Sequence, residues 1–331
     1  MIINLRCFDD IGGLLNPWSY LLGTSYDSSC SLITSSHPFL VYNLFMFEFV
    51  PLAPVDYLVI GHLTEDLTPS GPRLGGTAAF SALTARSLGL RVGIVSALSE
   101  GTSLKALNGI LVVKIPSTHN TTFENIYRGK GRDQILHHHA ALIPLENVPD
   151  IWRSASIVHL GPVARELNAD WSEALASHFS TSLIGITPQG WMRSWKDDGR
   201  VLPCKWESAD AFLPQAGAIV ISREDVLGDD ELIESMAHQT RILAVTEGSA
   251  GSVLYWNGDR RRFRAPEVEE VDATGAGDIF AAAFFVRLYA TRDPWAAARF
   301  ATQLAARSVT RPGLEAIPTQ AEIQECLMEV F

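Results

Sequence analysis

The stretch Asp272-Ala273-Thr274-Gly275-Ala276-Gly277-Asp278 combines residue types that could do chemistry, and a long apolar run, 279–286, follows it directly. A loop of small residues thus opens into a helix with a carboxylate in its first turn. The free N–H groups of such a turn form an anion site, and glycines let the backbone approach a ligand closely. The carboxylate of Asp278 would repel a phosphate. It is better placed to accept the proton of a hydroxyl that attacks one. An anion loop beside a base is suited to phosphoryl transfer. The plainer reading is that glycine turns before helices are common and that Asp at a helix start only caps it. The leading Asp272 and the strand-like 268–271 segment before it make the longer string more specific.

Such a loop needs a scaffold. From Val55 onward the pattern is regular. Residues 56–60 form an apolar run ended by Gly61. Residues 78–88 have helical spacing and stop at Gly89, a C′ position. Residues 91–96 read as the next strand. Short β-branched runs recur at 156–160, 183–186, 218–221 and 242–245, as in strands buried on both faces. Helices are expected after Asp278 and over 294–309. The rhythm predicts an α/β domain over 51–331, with a doubly wound, mostly parallel sheet flanked by helices. Residues 111–139 break the rhythm with short alternating strands at 112–115, 121–127 and 133–136. The last two are joined by a turn at Gly129-Lys130-Gly131-Arg132. Antiparallel strands inserted in a parallel-sheet domain, here at about 111–139, often form a small β-sheet lid or an edge. The exposed edge of such a lid could pair with a second copy of the chain as a homodimer.

The chain has 331 residues, 47% hydrophobic and 19% charged, enough for a large core. A net charge of −11 argues against a nucleic-acid partner. Cys7, Cys30, Cys204 and Cys326 show no C-x-x-C spacing, so neither zinc nor a disulfide framework is expected, and a reduced cytoplasmic setting fits. Residues 1–50 carry few charges and many aromatic and hydroxyl residues. The run 39–50 is interrupted by Asn43 and Glu48 and is too short and polar to span a membrane. The start lacks a basic signal region. Residues 1–50 read as a poorly ordered extension, or alternatively as a partner-binding or peripheral membrane segment.

Several other residues carry weaker signals. Asp66 follows the first strand, where ligands of open α/β sheets bind, and could accept hydrogen bonds from sugar hydroxyls. Alone it would read as a solvated acid. Gly75-Gly76 precedes the first helix. Thr246-Glu247-Gly248 is a turn between two strands, and Ser222-Arg223-Glu224-Asp225 ends another. Gln189 and Arg193 could face a cleft, while Trp191 and Met192 could equally be core. His137-His138-His139 invites a metal reading, but consecutive strand residues point to opposite faces, so three rarely converge on one ion. The chain has no G-x-x-x-x-G-K-[ST], G-x-S-x-G, H-E-x-x-H or complete G-x-G-x-x-G motif.

The string 272–278 resembles the signature D-T-x-G-A-G-D of the ribokinase-like (PfkB) carbohydrate kinases, with Ala273 where that family usually has Thr. The resemblance extends over about 55–317. Asp66 followed by Gly75-Gly76 resembles the family's sugar-binding region, although Phe80 stands where many members carry Asn. Residues 222–225 sit at the position of the family's N-x-x-E element, with Ser222 for Asn and Asp225 for Glu. The resemblance implies ATP and Mg²⁺ as cofactors and a lid that closes over a sugar. Asp278 would be the base, and Gly275, Ala276 and Gly277 would stabilise the moving phosphoryl group. Thr246, Gly248, Asp272 and Ser222 would meet ATP, and Asp225 would reach the metal through water. Asp66, Gly75, Gly76, Gln189 and Arg132 would contact the sugar or polyol. The alternative is a non-catalytic sugar- or nucleotide-binding regulator on the same scaffold.

Overall fold

Apolar residues along each buried strand alternate between two cores. Tyr57 and Val59 enter one core while Leu58 and Ile60 enter the other; Ala218 and Val220 part from Ile219 and Ile221 in the same way. A strand buried on both faces needs this unbroken apolar run. A computed structural model of the chain describes residues 52–128 and 131–328. The extension expected at 1–50 lies outside them.

In chain order the strands are β1 (Tyr57–Ile60), β2 (Thr64–Leu67), β3 (Arg73–Gly75), β4 (Val92–Ser99), β5 (Leu111–Ser117), β6 (Thr121–Arg128), β7 (Gly131–His138), β8 (Ile157–Leu160), β9 (Leu183–Ile186), β10 (Arg193–Trp195), β11 (Val201–Pro203), β12 (Ala218–Ser222), β13 (Ile242–Thr246), β14 (Ser252–Trp256) and β15 (Asp259–Phe263). The helices are α1 (Gly76–Ser87), α2 (Asp170–His178), α3 (Ala209–Phe212), α4 (Asp230–Gln239), α5 (Ala276–Thr291), α6 (Pro294–Ser308) and α7 (Gln320–Met328). Among the described residues nine strands form one sheet in the order β15-β14-β13-β12-β9-β8-β1-β4-β5. Its pairs are parallel except those made by β14 and β15. The doubly wound α/β sheet expected from the sequence is therefore present. Helices α1, α5, α6 and α7 cover one face, and α2, α3 and α4 cover the other.

Helix α5 is buried along most of its length, from Ile279 to Phe285 and at Leu288. It packs on α1, α6 and the sheet, so it needs no polar face. Gly185 in β9 makes room for it, since a Cβ there would lie 2.6 Å from the Phe285 ring. The α1 helix ends as expected, with Gly89 just beyond it at φ 91°.

Three local expectations are corrected. Residues 268–271, read as strand-like, are exposed and irregular, with Val271 61% exposed; alternating Val and Glu did not signal a partner strand. Residues 112–115, expected in the lid, belong to β5, which pairs in parallel with β4 at the edge of the main sheet. Its alternation of buried and exposed residues is what any half-covered strand shows. Conversely, the segment after β1, read as a loop, supplies β2 and β3 to a small four-stranded sheet of order β3-β2-β6-β7. The outer edge of β7 meets the β10–β11 hairpin, where Leu136 N–H donates to Gly199 O at 2.8 Å. Among the described residues no helix is long and apolar enough to cross a membrane.

Candidate active site

Parallel pairing puts the carboxyl ends of β1, β8, β9, β12 and β13 on one edge of the sheet, where ligands of such sheets bind. The start of α5 joins that edge through α1. Gly275 caps α5 at φ 81°, a left-handed conformation that favours glycine. A Cβ there would lie 2.3 Å from the Phe80 ring, so the position excludes side chains twice over. Phe80 is buried with Ile279 and Ala316. It stands under the loop as a support, where the sequence left it as a missing sugar contact.

The first helical bond of α5 runs from Ile279 N–H to Gly275 O at 2.9 Å. The N–H groups of Gly275, Gly277 and Asp278 meet no acceptor among the described residues, whereas that of Ala276 donates to Ala273 O at 3.2 Å. Gly277 is exposed, with open space where a Cβ would stand. The tip of the helix is therefore reachable and offers unclaimed donors. Asp272 holds the loop in place. Its Oδ1 accepts from Thr274 N–H (2.9 Å) and its Oδ2 from Gly313 N–H (3.0 Å). Both oxygens are engaged within the chain.

Asp278 is half-buried. Its Oδ1 accepts a hydrogen bond from Thr77 Oγ1 at 2.7 Å, and Ser81 Oγ donates to its carbonyl at 3.3 Å. Burial pushes its carboxyl up to about 6; the Thr77 hydroxyl and the Arg193 guanidinium pull it back, and the Asp225 and Asp66 carboxylates add to the rise. Two further acids and one guanidinium thus act on the Asp278 carboxyl. Below them Tyr57 OH bonds His159 Nδ1 (2.8 Å), and His159 Nε2 bonds Thr187 Oγ1 (2.9 Å). Burial drops His159 to about 3, so this layer stays neutral.

Asp66 lies on β2 and accepts from Thr64 Oγ1 at 3.2 Å. A Cβ at Gly75 would lie 2.3 Å from Asp66 Oδ2, and one at Gly76 (φ 84°) would lie 2.8 Å from His62 O. Packing inside the chain alone therefore requires both glycines. Buried Glu166 ties the loops after β1 and β8 together, accepting from the N–H groups of His62 (2.8 Å), Val163 (2.9 Å) and Ala164 (2.7 Å).

Gln189 Nε2 donates to Asp225 Oδ1 at 3.3 Å, and Asp225 Oδ2 accepts from Ser222 N–H at 2.9 Å. Ser222 Oγ accepts from Glu224 N–H. Thr246 closes β13, with its hydroxyl on Ile221 O at 3.4 Å, and Gly248 faces open space at φ 56°. Trp191 and Met192 are core. Arg193 donates to Val163 O at 3.4 Å, and its guanidinium lies 5.7 Å from the Phe123 ring centroid on β6. Arg132 lies on β7; its side chain is outside the described residues. The three histidines go separate ways: His137 to Glu124, His138 onto the His119 ring, His139 to Ala164 O.

The structure therefore brings Asp66, Asp225, Asp278 and, through Asp225, Gln189 into one electrostatic neighbourhood. The sequence did not single out Thr77, Ser81 or Glu166. Thr77 directly follows Gly76 at the start of α1, and only the fold shows that it faces α5.

Residues 197–321 match the model of the pfkB family carbohydrate kinases. The chain is 42% identical over 96 residues to the ribokinase of Bacillus subtilis (strain 168), covering 28% of this chain and 32% of that one. It is 32% identical over 148 residues to the fructokinase of Klebsiella pneumoniae, covering 40% and 47%. The chain thus spans about a third to a half of the length of these curated relatives. Among solved structures it resembles a pyrophosphate-dependent kinase in the ribokinase family complexed with a pyrophosphate analog and myo-inositol. That match has TM-score 0.66 and 21% identity, covering 81% of this chain and 99% of that one. It also resembles Arabidopsis thaliana ribokinase complexed with ribose and ATP, with TM-score 0.64 and 17% identity, covering 83% and 99%. The family model takes in the small-residue loop 272–278, and the surrounding fold is that of ribokinase, so the chain is similar to the ribokinase-like (PfkB) carbohydrate kinases.

Proposed function

We propose that the chain transfers the terminal phosphoryl group of ATP to a hydroxyl of a sugar or polyol. The observation that carries this reading is Asp278: a half-buried carboxylate with one oxygen fixed by Thr77, beside the unclaimed N–H groups of a helix tip. Thr77 holds Oδ1, which leaves Oδ2 to take the proton of the attacking hydroxyl. A carboxyl raised to about 6 is a stronger base than an ordinary one and is still ionised at neutral pH. The N–H groups of Gly275 and Gly277 would stabilise charge on the moving phosphoryl group. The Ala276 N–H, already bent toward Ala273, contributes less. Asp66 and Gln189 face the acceptor, while Thr246 and Gly248 bound the donor. Asp272 positions the loop.

Among the described residues no cluster of three or more ligating side chains could cage a metal. The fit is therefore to a hydrated Mg²⁺ carried in on the phosphates, with Asp225 reached through water. Bound in that way, the ion would neutralise phosphate charge. The small sheet of β2, β3, β6 and β7 would act as the lid, excluding bulk water. The ATP-bound relative of the same fold supports ATP as donor, and the sugar kinases among the relatives support the acceptor class.

A coupled assay of ADP release across a panel of sugars and polyols tests the proposal. Acceptor-dependent ADP release is expected; ligand binding without any release would favour a regulator. The rate should rise with pH through about 6 as Asp278 ionises. Thr77→Val should remove the hydrogen bond that lowers this carboxyl. The acid limb of the kcat profile is then expected to move up by roughly one unit, with a lower plateau. An unmoved limb would show that Thr77 does not act on the base.

A further inference from the structure

Strand β15 carries arginines on both faces, and the two faces differ. Arg260 pairs with Glu234 (3.6 Å) and Arg262 with Glu247. Arg261 and Arg264 have no carboxylate partner among the described residues, and neither does Arg299 on α6. Positions 295, 299 and 303 are four apart and so form one stripe of α6. That stripe and the end of β15 border a half-open cavity of about 430 Å³, lined by Arg261, Phe263, Arg264, Trp295, Arg299 and Gln303 together with the ion-paired Arg262. No carboxylate lines it. The Arg261 guanidinium lies 4.2 Å from the Trp295 ring centroid, an orientation that holds the cation without neutralising it. Asp293, at the start of α6, is turned away to cap Trp295 N–H and Ala296 N–H.

In a chain of net charge −11, three unneutralised guanidiniums meeting in one cavity define an anion site. Guanidinium forks match phosphate oxygens two at a time. We propose that this cavity binds a di- or triphosphate, free or carried on a small molecule, at a place separate from the phosphoryl-transfer loop. The site adjoins the donor turn: an ideal Cβ on Gly251 would lie 2.0 Å from Phe263 O and 2.7 Å from Ala265 N. The backbone at Arg264 therefore packs against the turn that carries Thr246 and Gly248.

Calorimetric titration of the full chain with inorganic pyrophosphate, without added metal, tests the assignment. Two variants separate the possible sites. Arg261→Gln with Arg299→Gln strips the cavity of two exposed cations, and Gly277→Asp sets a repelling carboxylate at the transfer loop. Pyrophosphate binding is expected to survive Gly277→Asp. It should weaken by roughly tenfold or more for each guanidinium lost in the double variant, while acceptor-dependent ADP release without pyrophosphate stays unchanged there. Repeating the titration with ADP present identifies the source: competition points to a nucleotide tail, and independence to free pyrophosphate. Binding lost in Gly277→Asp, binding undiminished in the arginine variant, or no binding at all would overturn the assignment. Loss of ADP release in every assay would instead count against the kinase reading and leave the cavity result standing.

Discussion

Asp278→Asn is expected to lower turnover by ~10²–10⁴-fold, the usual cost of removing a positioned base, while making the folded chain more stable at pH 7–8. The two effects share one cause. Asn keeps an oxygen in place of Oδ1, so Thr77 Oγ1 retains its acceptor. What disappears is a carboxylate that burial and two neighbouring acids disfavour. The folded value of about 6 lies above the ordinary 3.8, so ionisation is harder in the folded state than in the unfolded one. The stability that the neutral carboxyl provides is full below 3.8 and is lost as pH rises through about 6. A shift of that size corresponds to at most about 3 kcal/mol. Solvent reaching this half-buried group leaves roughly 1 kcal/mol. The thermal midpoint of the Asn variant should thus exceed that of the parent above pH 6 and converge with it near pH 4. Turnover at the parent rate would remove Asp278 from the mechanism. A variant less stable than the parent at pH 8 would show that the carboxylate is held by attractions absent from this electrostatic account.

This opposition between activity and stability marks what the sequence could show. The loop 272–278 was legible because its parts are adjacent in the chain: glycines, a helix start and an acid in the first turn. The buried strands were legible because burial on both faces leaves an unbroken apolar run, and all four later runs became strands of the main sheet. Features that depend on distant residues were not. Thr77 meets Asp278 across 201 positions, and Glu166 reaches His62 across 104; neither spacing leaves a local trace. Strands β2 and β3 escaped notice because each is short and polar and finds its partners only in the folded sheet. β5 was assigned to the wrong sheet because a half-covered strand reads alike at either edge. Asp272 looked like a ligand residue beside an anion loop, yet both its oxygens hold main-chain N–H groups.

Phe80 belongs with these distant effects, and its role predicts a second large loss. Gly275→Ala forces an L side chain into φ 81° and drives a methyl to 2.3 Å from the Phe80 ring. The left-handed backbone costs about 1–2 kcal/mol, and overpacking adds about 1–3 kcal/mol. The loop would relieve the clash by shifting the Gly277 and Asp278 N–H groups, so kcat should fall with stability. Phe80→Leu shortens the obstructing ring and should recover part of the packing cost in the double variant, but none of the backbone cost. A double-mutant cycle is therefore expected to show coupling of about 0.5 kcal/mol or more between positions 80 and 275. If Phe80 instead lined the acceptor pocket, Phe80→Leu would change the acceptor KM and the two substitutions would be additive. Additivity would place the aromatic ring at the substrate and remove it from beneath the loop. Coupling would establish that this chain uses an apolar residue to fix the helix tip from below.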